Sequence, residues 1–426
     1  MKIFSTFFLI IAFISSLFTQ TDNSLSLSKC YEKAIQNYPL AGKSPLLSDL
    51  KRLNLELLDK QALPTIDLVT QVTGQTQTVS NPFEIPGVNM SSFNLPLVRA
   101  QATVEAQYTL YDGGFRQIQK ELKEADLAVG KQEVAVGLYE LKNRVNQYFF
   151  GILLLQKKKE ILETSLETLD AQIERVEAGV RFGAVLKSEA DKLQVARLRL
   201  VASLQEGASD LEGMKAVLGA LIHQSIASNT ELQSPDFQGF EFTSEVKREE
   251  LKLFELQKKK LLVSEKLTDV SRKPKVGAFA QAGFGRPDPL NFFDNGVSPF
   301  GVGGFNVKWN IFDWKKNELE RQKLSVQSQI IDNQRAVFET NINMLEGQFK
   351  AQLAKLEKLI ENDRAVADLQ KEILSQVAAQ LDKGVATSSE YVIQVNAQIQ
   401  AKLSLETHLL QMEQVKAQYL VHRGML

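Results

Sequence analysis

The sequence predicts a mainly α-helical chain built by internal tandem duplication. In each copy two β-strands leave a long helical frame, and the four strands together contribute to a membrane β-barrel that other copies of the chain must complete. Three observations carry this reading. The first is repetition: Tyr108-Thr-Leu-Tyr-Asp112-Gly-Gly-Phe-Arg116 recurs as Trp309-Asn-Ile-Phe-Asp313-Trp-Lys-Lys-Asn317, and Phe182-Gly183-Ala-Val-Leu-Lys-Ser188-Glu189 recurs as Lys383-Gly384-Val-Ala-Thr-Ser-Ser389-Glu390. Both pairs share an offset of 201 (309 − 108 and 384 − 183), so the duplicated unit is constrained in length. The second is two long proline-free stretches rich in Leu, Glu, Lys, Gln and Ala. The third is four segments that alternate apolar and polar side chains.

The elements are taken in chain order. Met1-Lys2 leads into an apolar run, Ile3 to Phe18, that stops before Gln20-Thr-Asp-Asn, which predicts a secretory signal peptide over residues 1–20. The first repeat is expected over 24–222. Leu25, Leu27, Tyr31, Ile35, Leu46, Leu50, Leu53 and Leu57 recur at helical spacing until Pro64. Strands are expected at 64–79 and 101–111, separated by the loop-like Ser80-Asn-Pro-Phe-Glu-Ile-Pro-Gly87. A long helix over 114–181 would extend roughly 100 Å at 1.5 Å per residue. It breaks at Gly179 to Gly183 and returns over 188–222.

Residues 223–245, with Ser225, Ser228, Asn229, Ser234, Pro235 and Gly239, form a linker, expected to join the stretch after Ile399 in an equatorial collar. The second repeat, 246–426, has the same plan: a helix to Arg272, strands at 274–285 and 301–312, a long helix over 315–382 and a return helix over 388–422. Along the long helix Leu324, Ile331, Phe338 and Leu345 step by seven. From Leu345 through Phe349 and Leu353 to Leu356 the stripe advances by eleven, a mixture that keeps a helix nearly straight.

Composition narrows the function. A formal net charge of −1 gives no polyanion-binding surface, so nucleic acid is not expected as a partner. Cys30 is the only cysteine, hence no internal disulfide; the lysine before it argues against lipidation and for a small buried residue. His223, His408 and His422 lie far apart without metal-ligand spacing, and no nucleophile–base pair or phosphate-binding glycine loop is present. No enzymatic activity, cofactor or metal is expected. Lys157-Lys158-Lys159 and Lys258-Lys259-Lys260 read as solvated helix faces.

The strands present Val104, Ala106, Tyr108 and Leu110 on one face and Glu105, Gln107 and Thr109 on the other; Val307 and Trp309 likewise oppose Asn306 and Lys308. One apolar and one polar face is the pattern of a membrane barrel, apolar towards lipid and polar towards a lumen. Four strands cannot close a barrel, whose smallest form has about eight, whereas three identical chains would supply twelve. Tyr108, Tyr111, Trp309, Phe312 and Trp314, where strand meets helix, fit either a membrane-interface aromatic girdle or simple packing.

The tandem repeat, the strand–loop–strand insertions, the Tyr111-Asp112-Gly113-Gly114 exit and the two helical turns resemble the TolC family of outer-membrane efflux proteins, from Leu25 to Arg423. The resemblance implies a homotrimer with one twelve-stranded barrel in the outer membrane of a Gram-negative bacterium, continued by a helical tunnel across the periplasm. It implies a passive exit duct of a tripartite efflux or secretion system. The partners implied are outer-membrane lipid, a periplasmic adaptor protein and an inner-membrane transporter.

It places a gate at the periplasmic tip, at Gly183, Glu189, Gly384, Glu390, Leu381 and Ala386, and adaptor-docking turns at Val185, Lys187, Ser188, Thr387 and Ser388. Leu381 and Ala386 depart from a well-known member, which carries a tyrosine and an arginine there. Glu189 and Glu390 admit two readings, a carboxylate ring at a constriction or first-turn glutamates favoured by the helix dipole. A secreted coiled-coil scaffold without a pore is the alternative for the whole chain; it requires neither alternating strands nor equal landmark spacing.

Overall fold

A computed structural model of the protein describes residues 24–77, 96–291 and 294–426. The expected signal peptide and the loop at 80–87 lie outside the described residues. In chain order the elements are β1 (Ser24–Leu25), α1 (Leu27–Asn37), a 3-10 turn (Pro39–Gly42), α2 (Lys43–Lys60), β2 (Thr65–Gly74), β3 (Val98–Tyr111), α3 (Phe115–Arg181) and α4 (Lys187–Ile222). Next come β4 (Glu231–Leu232), α5 (Glu249–Val270), β5 (Lys275–Arg286), β6 (Ser298–Lys308), α6 (Lys316–Asp382) and α7 (Ser388–Arg423). Two compact units result, one of residues 39–139 and 247–344, the other of 24–38, 140–246 and 345–426, with α3 and α6 contributing to both.

The first unit contains a four-stranded antiparallel sheet in the order β2-β3-β5-β6. Each repeat supplies one hairpin, and the central β3–β5 pairing joins the repeats. Both faces are mostly exposed, and β2 and β6 stand at its edges. The same unit leaves Leu46, Leu50, Leu53 and Leu57 of α2 exposed. An open sheet edge is a template for further pairing.

Several expected boundaries are corrected. β2 ends at Gly74, short of residue 79, and β3 begins at Val98, before residue 101. β6 ends at Lys308 instead of 312. The cause of the last is its partner: Lys308 pairs with Lys275, the first residue of β5, and the preceding Pro274 has no N–H to continue the ladder. Trp309 to Phe312 therefore lie beyond the strand. The first helical run is also interrupted, because Tyr38 precedes Pro39 and adopts extended backbone (φ −65°, ψ 137°).

The second unit is helical around a core drawn from four helices. Leu169, Ile173 and Val176 of α3 meet Leu193 and Leu200 of α4, Leu374 and Leu381 of α6, and Tyr391, Val395 and Ile399 of α7. Along α6 the buried positions are Ile342, Leu353, Leu356, Ile360, Leu374 and Leu381. Steps of seven and eleven recur among them, but Leu345, expected in the stripe, is 40% exposed and Ile342 takes its place.

Cys30 is fully buried on α1, where burial pushes its thiol up to about 12 against the lowering effect of Lys33. The linker is ordered by the C-terminal helix. The Thr243 N–H donates to the Tyr419 hydroxyl at 2.8 Å, that hydroxyl donates to the Thr243 carbonyl at 2.9 Å, and Phe240 and Phe242 pack edge-on against the Tyr419 ring. The parallel β1–β4 pair, which no sequence pattern predicts, ties Leu25 to Leu232. Among the described residues no helix is long and apolar enough to cross a membrane.

Candidate functional site

Two duplicated constructions stand out, one in each unit. In the sheet-bearing unit it is the turn from strand to long helix. The Asp112 carboxylate accepts the N–H groups of Gly114 (2.9 Å) and Arg116 (3.0 Å), and Asp313 accepts those of Lys315 (3.1 Å) and Asn317 (3.2 Å). Each aspartate thereby satisfies two of the donors that the start of a helix leaves free. Burial of the Asp112 carboxyl works to raise its pKa, but the N–H groups of Arg116 and Gly114 outweigh it and hold the group below the usual carboxylate range.

The chain must twist into left-handed backbone here. In the first repeat glycines do so (Gly113 φ +75°, Gly114 φ +91°), and in the second Trp314 (φ +53°) and Lys315 (φ +62°) take the same positions. Gly113 meets a second demand, since a Cβ there would stand 2.9 Å from Lys273 Cβ. Of the expected girdle residues, Tyr108, Tyr111, Trp309, Phe312 and Trp314 are all exposed. Phe312 and Trp314 stack edge-to-face at 4.8 Å, and Trp309 Nε1 donates to the Arg272 carbonyl at 2.9 Å.

In the helical unit the construction is a pair of turns. Gly183 (φ +72°) and Gly384 (φ +71°) end α3 and α6 in the left-handed conformation that glycine adopts without steric cost. Val180 and Gly179 carbonyls accept the N–H groups of Gly183 (3.0 Å) and Ala184 (2.9 Å); Leu381 and Gln380 carbonyls accept those of Gly384 and Val385, both at 2.9 Å. These bonds close the helix ends as a Schellman motif does.

The two turns differ in how the next helix is capped. Thr387 caps α7 in a full capping box with Glu390: its hydroxyl accepts the Glu390 N–H, and the Glu390 carboxylate accepts the Thr387 N–H at 2.8 Å. Leu186, the counterpart of Thr387, caps α4 with no side chain. Glu189, the counterpart of Glu390, turns instead to the other repeat, accepting the Ser388 N–H at 2.8 Å while Lys192 Nζ lies 2.7 Å from its other oxygen. Lys192 first, then the Ser388 N–H, hold the Glu189 carboxyl below its ordinary pKa, as the Thr387 N–H does for Glu390. A second tie between the repeats has no signature in the sequence: Gln172 and Arg175 of α3 donate to the two oxygens of Asp382 at 2.9 and 3.1 Å.

The remaining residues singled out from the sequence divide by exposure. Leu381 is buried in the four-helix core and Ala386 packs against it. Lys187, Ser188 and Thr387 are exposed at the surface of the turns. Val185 is half-buried beside Gly179, and Ser388 is buried with its hydroxyl unpartnered. The turns also expose Phe182, Leu186 and Val385, three apolar side chains that the helical and strand periodicities do not single out.

No protein-family model matches the chain, and no curated protein does. Solved structures do. VceC, an outer membrane protein of Vibrio cholerae, aligns over 93% of this chain and 96% of its own with a TM-score of 0.61 at 14% identity. The CmeC outer membrane channel of Campylobacter jejuni aligns over 95% and 86% (TM-score 0.60, 13% identity), and the open MtrE outer membrane channel of Neisseria gonorrhoeae over 93% and 88% (TM-score 0.63, 14% identity). This chain has the TolC-type fold.

Proposed function

We propose that this chain is an outer-membrane exit duct that assembles as a homotrimer and passively conducts substrates delivered by an inner-membrane transporter through a periplasmic adaptor. One observation carries the reading. Among the described residues each chain offers an open antiparallel sheet with free edges at β2 and β6, a polar face and an apolar face, and too few strands to close. Pairing β6 of one copy with β2 of the next closes a barrel at twelve strands for three copies. The likeness to VceC, CmeC and MtrE, each an outer-membrane protein, supports the location, with the barrel in lipid and the helices in the periplasm.

The adaptor docks on the exposed parts of the helical turns, Phe182, Leu186 and Val385 supplying apolar area and Lys187, Ser188 and Thr387 the polar rim. Glu189 and Glu390 supply negative charge near the tip, with Gly183 and Gly384 setting the turns and Leu381 and Ala386 fixing the helix ends. The deciding experiment is planar-bilayer conductance of the detergent-extracted protein beside a mass determination of the assembled particle. Discrete conductance steps from a particle of three chains are expected. A soluble, non-conducting particle would overturn the duct.

A further inference from the structure

The register of the sheet places like charges directly opposite one another twice, with opposite sign. On the polar face of the first hairpin Asp67 of β2 pairs with Glu105 of β3; on the same face of the second, Lys275 of β5 pairs with Lys308 of β6. Directly opposed like charges destabilise a strand pair. Neither doublet is neutralised nearby: among the described residues none of the four side chains forms an ion pair. The two aspartates that come after the strands are already occupied. Asp112 is taken up by N–H groups and by Arg116, Asp313 by the N–H groups of Lys315 and Asn317.

The doublets are also staggered. Glu105 pairs with Gln281, six residues along β5 from Lys275, which is ~20 Å at 3.4 Å per residue. That exceeds the screening length of about 8 Å at physiological salt. The lysines sit at the helix-proximal end of the sheet, both exposed, in a hollow of about 310 Å³ lined beside them by Thr109 and Asn306 and reaching Glu105 only at its opposite end. Lys275 Nζ rests 5.3 Å from the centroid of the Phe115 ring, which holds the ammonium in place without cancelling its charge.

We propose that the Lys275–Lys308 doublet is an anion-binding band of the duct, which takes phosphate- or carboxylate-rich groups of cargo at the helix-proximal mouth of the barrel. This rests on the exit-duct reading, in which the polar sheet face is the lumen. A trimer brings three doublets to one circumference, and a confined ring of one sign concentrates counter-ions at its level.

The test is single-channel recording with inorganic tripolyphosphate as the probe. Wild-type current should be blocked reversibly, and the half-blocking concentration should rise on the order of tenfold or more in Lys275→Gln/Lys308→Gln, within the range of field focusing by a charged cleft. Asp67→Asn, on the other hairpin and outside the lining of the hollow, should keep the block. Equal block in the lysine variant overturns the proposal while leaving the duct intact, whereas a wild type that does not conduct overturns the duct itself. Wild-type block must also weaken as KCl is raised; a salt-independent block overturns the proposal without recourse to any variant.

Discussion

The carboxylate of Glu189 accepts the backbone N–H of Ser388 at 2.8 Å, across 199 residues of chain. The first repeat thus caps the return helix of the second. Its own return helix, whose N-cap is Leu186, goes without a side-chain cap. The duplicated turns are therefore alike in backbone and unlike in what their glutamates do: Glu390 serves its own helix, Glu189 its neighbour's.

Removing that cap should cost stability. Glu189→Ala is expected to destabilise the helical unit by about 1 kcal/mol, the usual worth of a capping side chain, and Glu189→Gln by less, since the amide oxygen still accepts. The two differ with pH. Because the folded carboxyl is held low by Lys192 and the Ser388 N–H, its charge-dependent contribution is present above the unfolded glutamate value of about 4.3 and disappears as pH falls through the folded value. Denaturant unfolding of wild type and Glu189→Gln should differ by a constant amount from pH 7 to 5 and converge on acidification. A difference that grows in acid would refute the cap.

The same glutamates test the tip as a gate. In the double variant Glu189→Gln/Glu390→Gln, single-channel conductance should lose sensitivity to divalent cations, because a carboxylate ring attracts and holds them. Unchanged sensitivity would leave both residues with capping alone.

The strand–helix turns give a comparison internal to one molecule. Gly114→Ala meets no atom within 4 Å and pays only for left-handed backbone, roughly 1–2 kcal/mol. Gly113→Ala carries the same cost and also drives a Cβ to 2.9 Å from Lys273 Cβ, so it should be the more damaging of the two. Conversely, Lys315→Gly relieves the strain that the second repeat carries at φ +62°. After the added chain entropy of glycine, a net gain of roughly 0.5–1 kcal/mol is expected. Trp314→Gly should gain less, since it forfeits the edge-to-face contact with Phe312. Thermal unfolding of the four variants ranks them.

How much of this molecule is legible in its sequence depends on range. The long helices, the four strands and both glycine turns are legible because each is written in local periodicity or in a residue whose backbone freedom the turn demands. Thr387-Ser-Ser-Glu390 also carries a readable capping-box signature, unlike Leu186-Lys-Ser-Glu189. Glu189 to Ser388, Arg175 to Asp382 and Leu25 beside Leu232 join positions roughly 200 residues apart, and no local pattern announces them. The β6 terminus is hidden for another reason: alternation continues through Ile311, but hydrogen bonding ends where the partner strand begins, after Pro274. The stripe on α2 is helical as its spacing predicts, yet Leu46, Leu50, Leu53 and Leu57 are exposed in the single chain, as residues reserved for a neighbouring copy would be.

Trp309 sits where the ladder of β6 has run out, and its side chain replaces the backbone by donating Nε1–H to the Arg272 carbonyl at 2.9 Å. The ring is otherwise exposed, with the amphipathic form suited to a headgroup region: an apolar body and one donor. Trp309→Phe keeps the body and loses the donor, so the end of α5 should loosen locally, with faster amide exchange around Arg272 and assembly retained. Trp309→Ala loses both, and should reduce membrane insertion and lower the dissociation temperature of the trimer. If the alanine variant inserted and held together as the wild type does, the aromatic residues at this junction would be packing elements of the turn and no part of a membrane girdle.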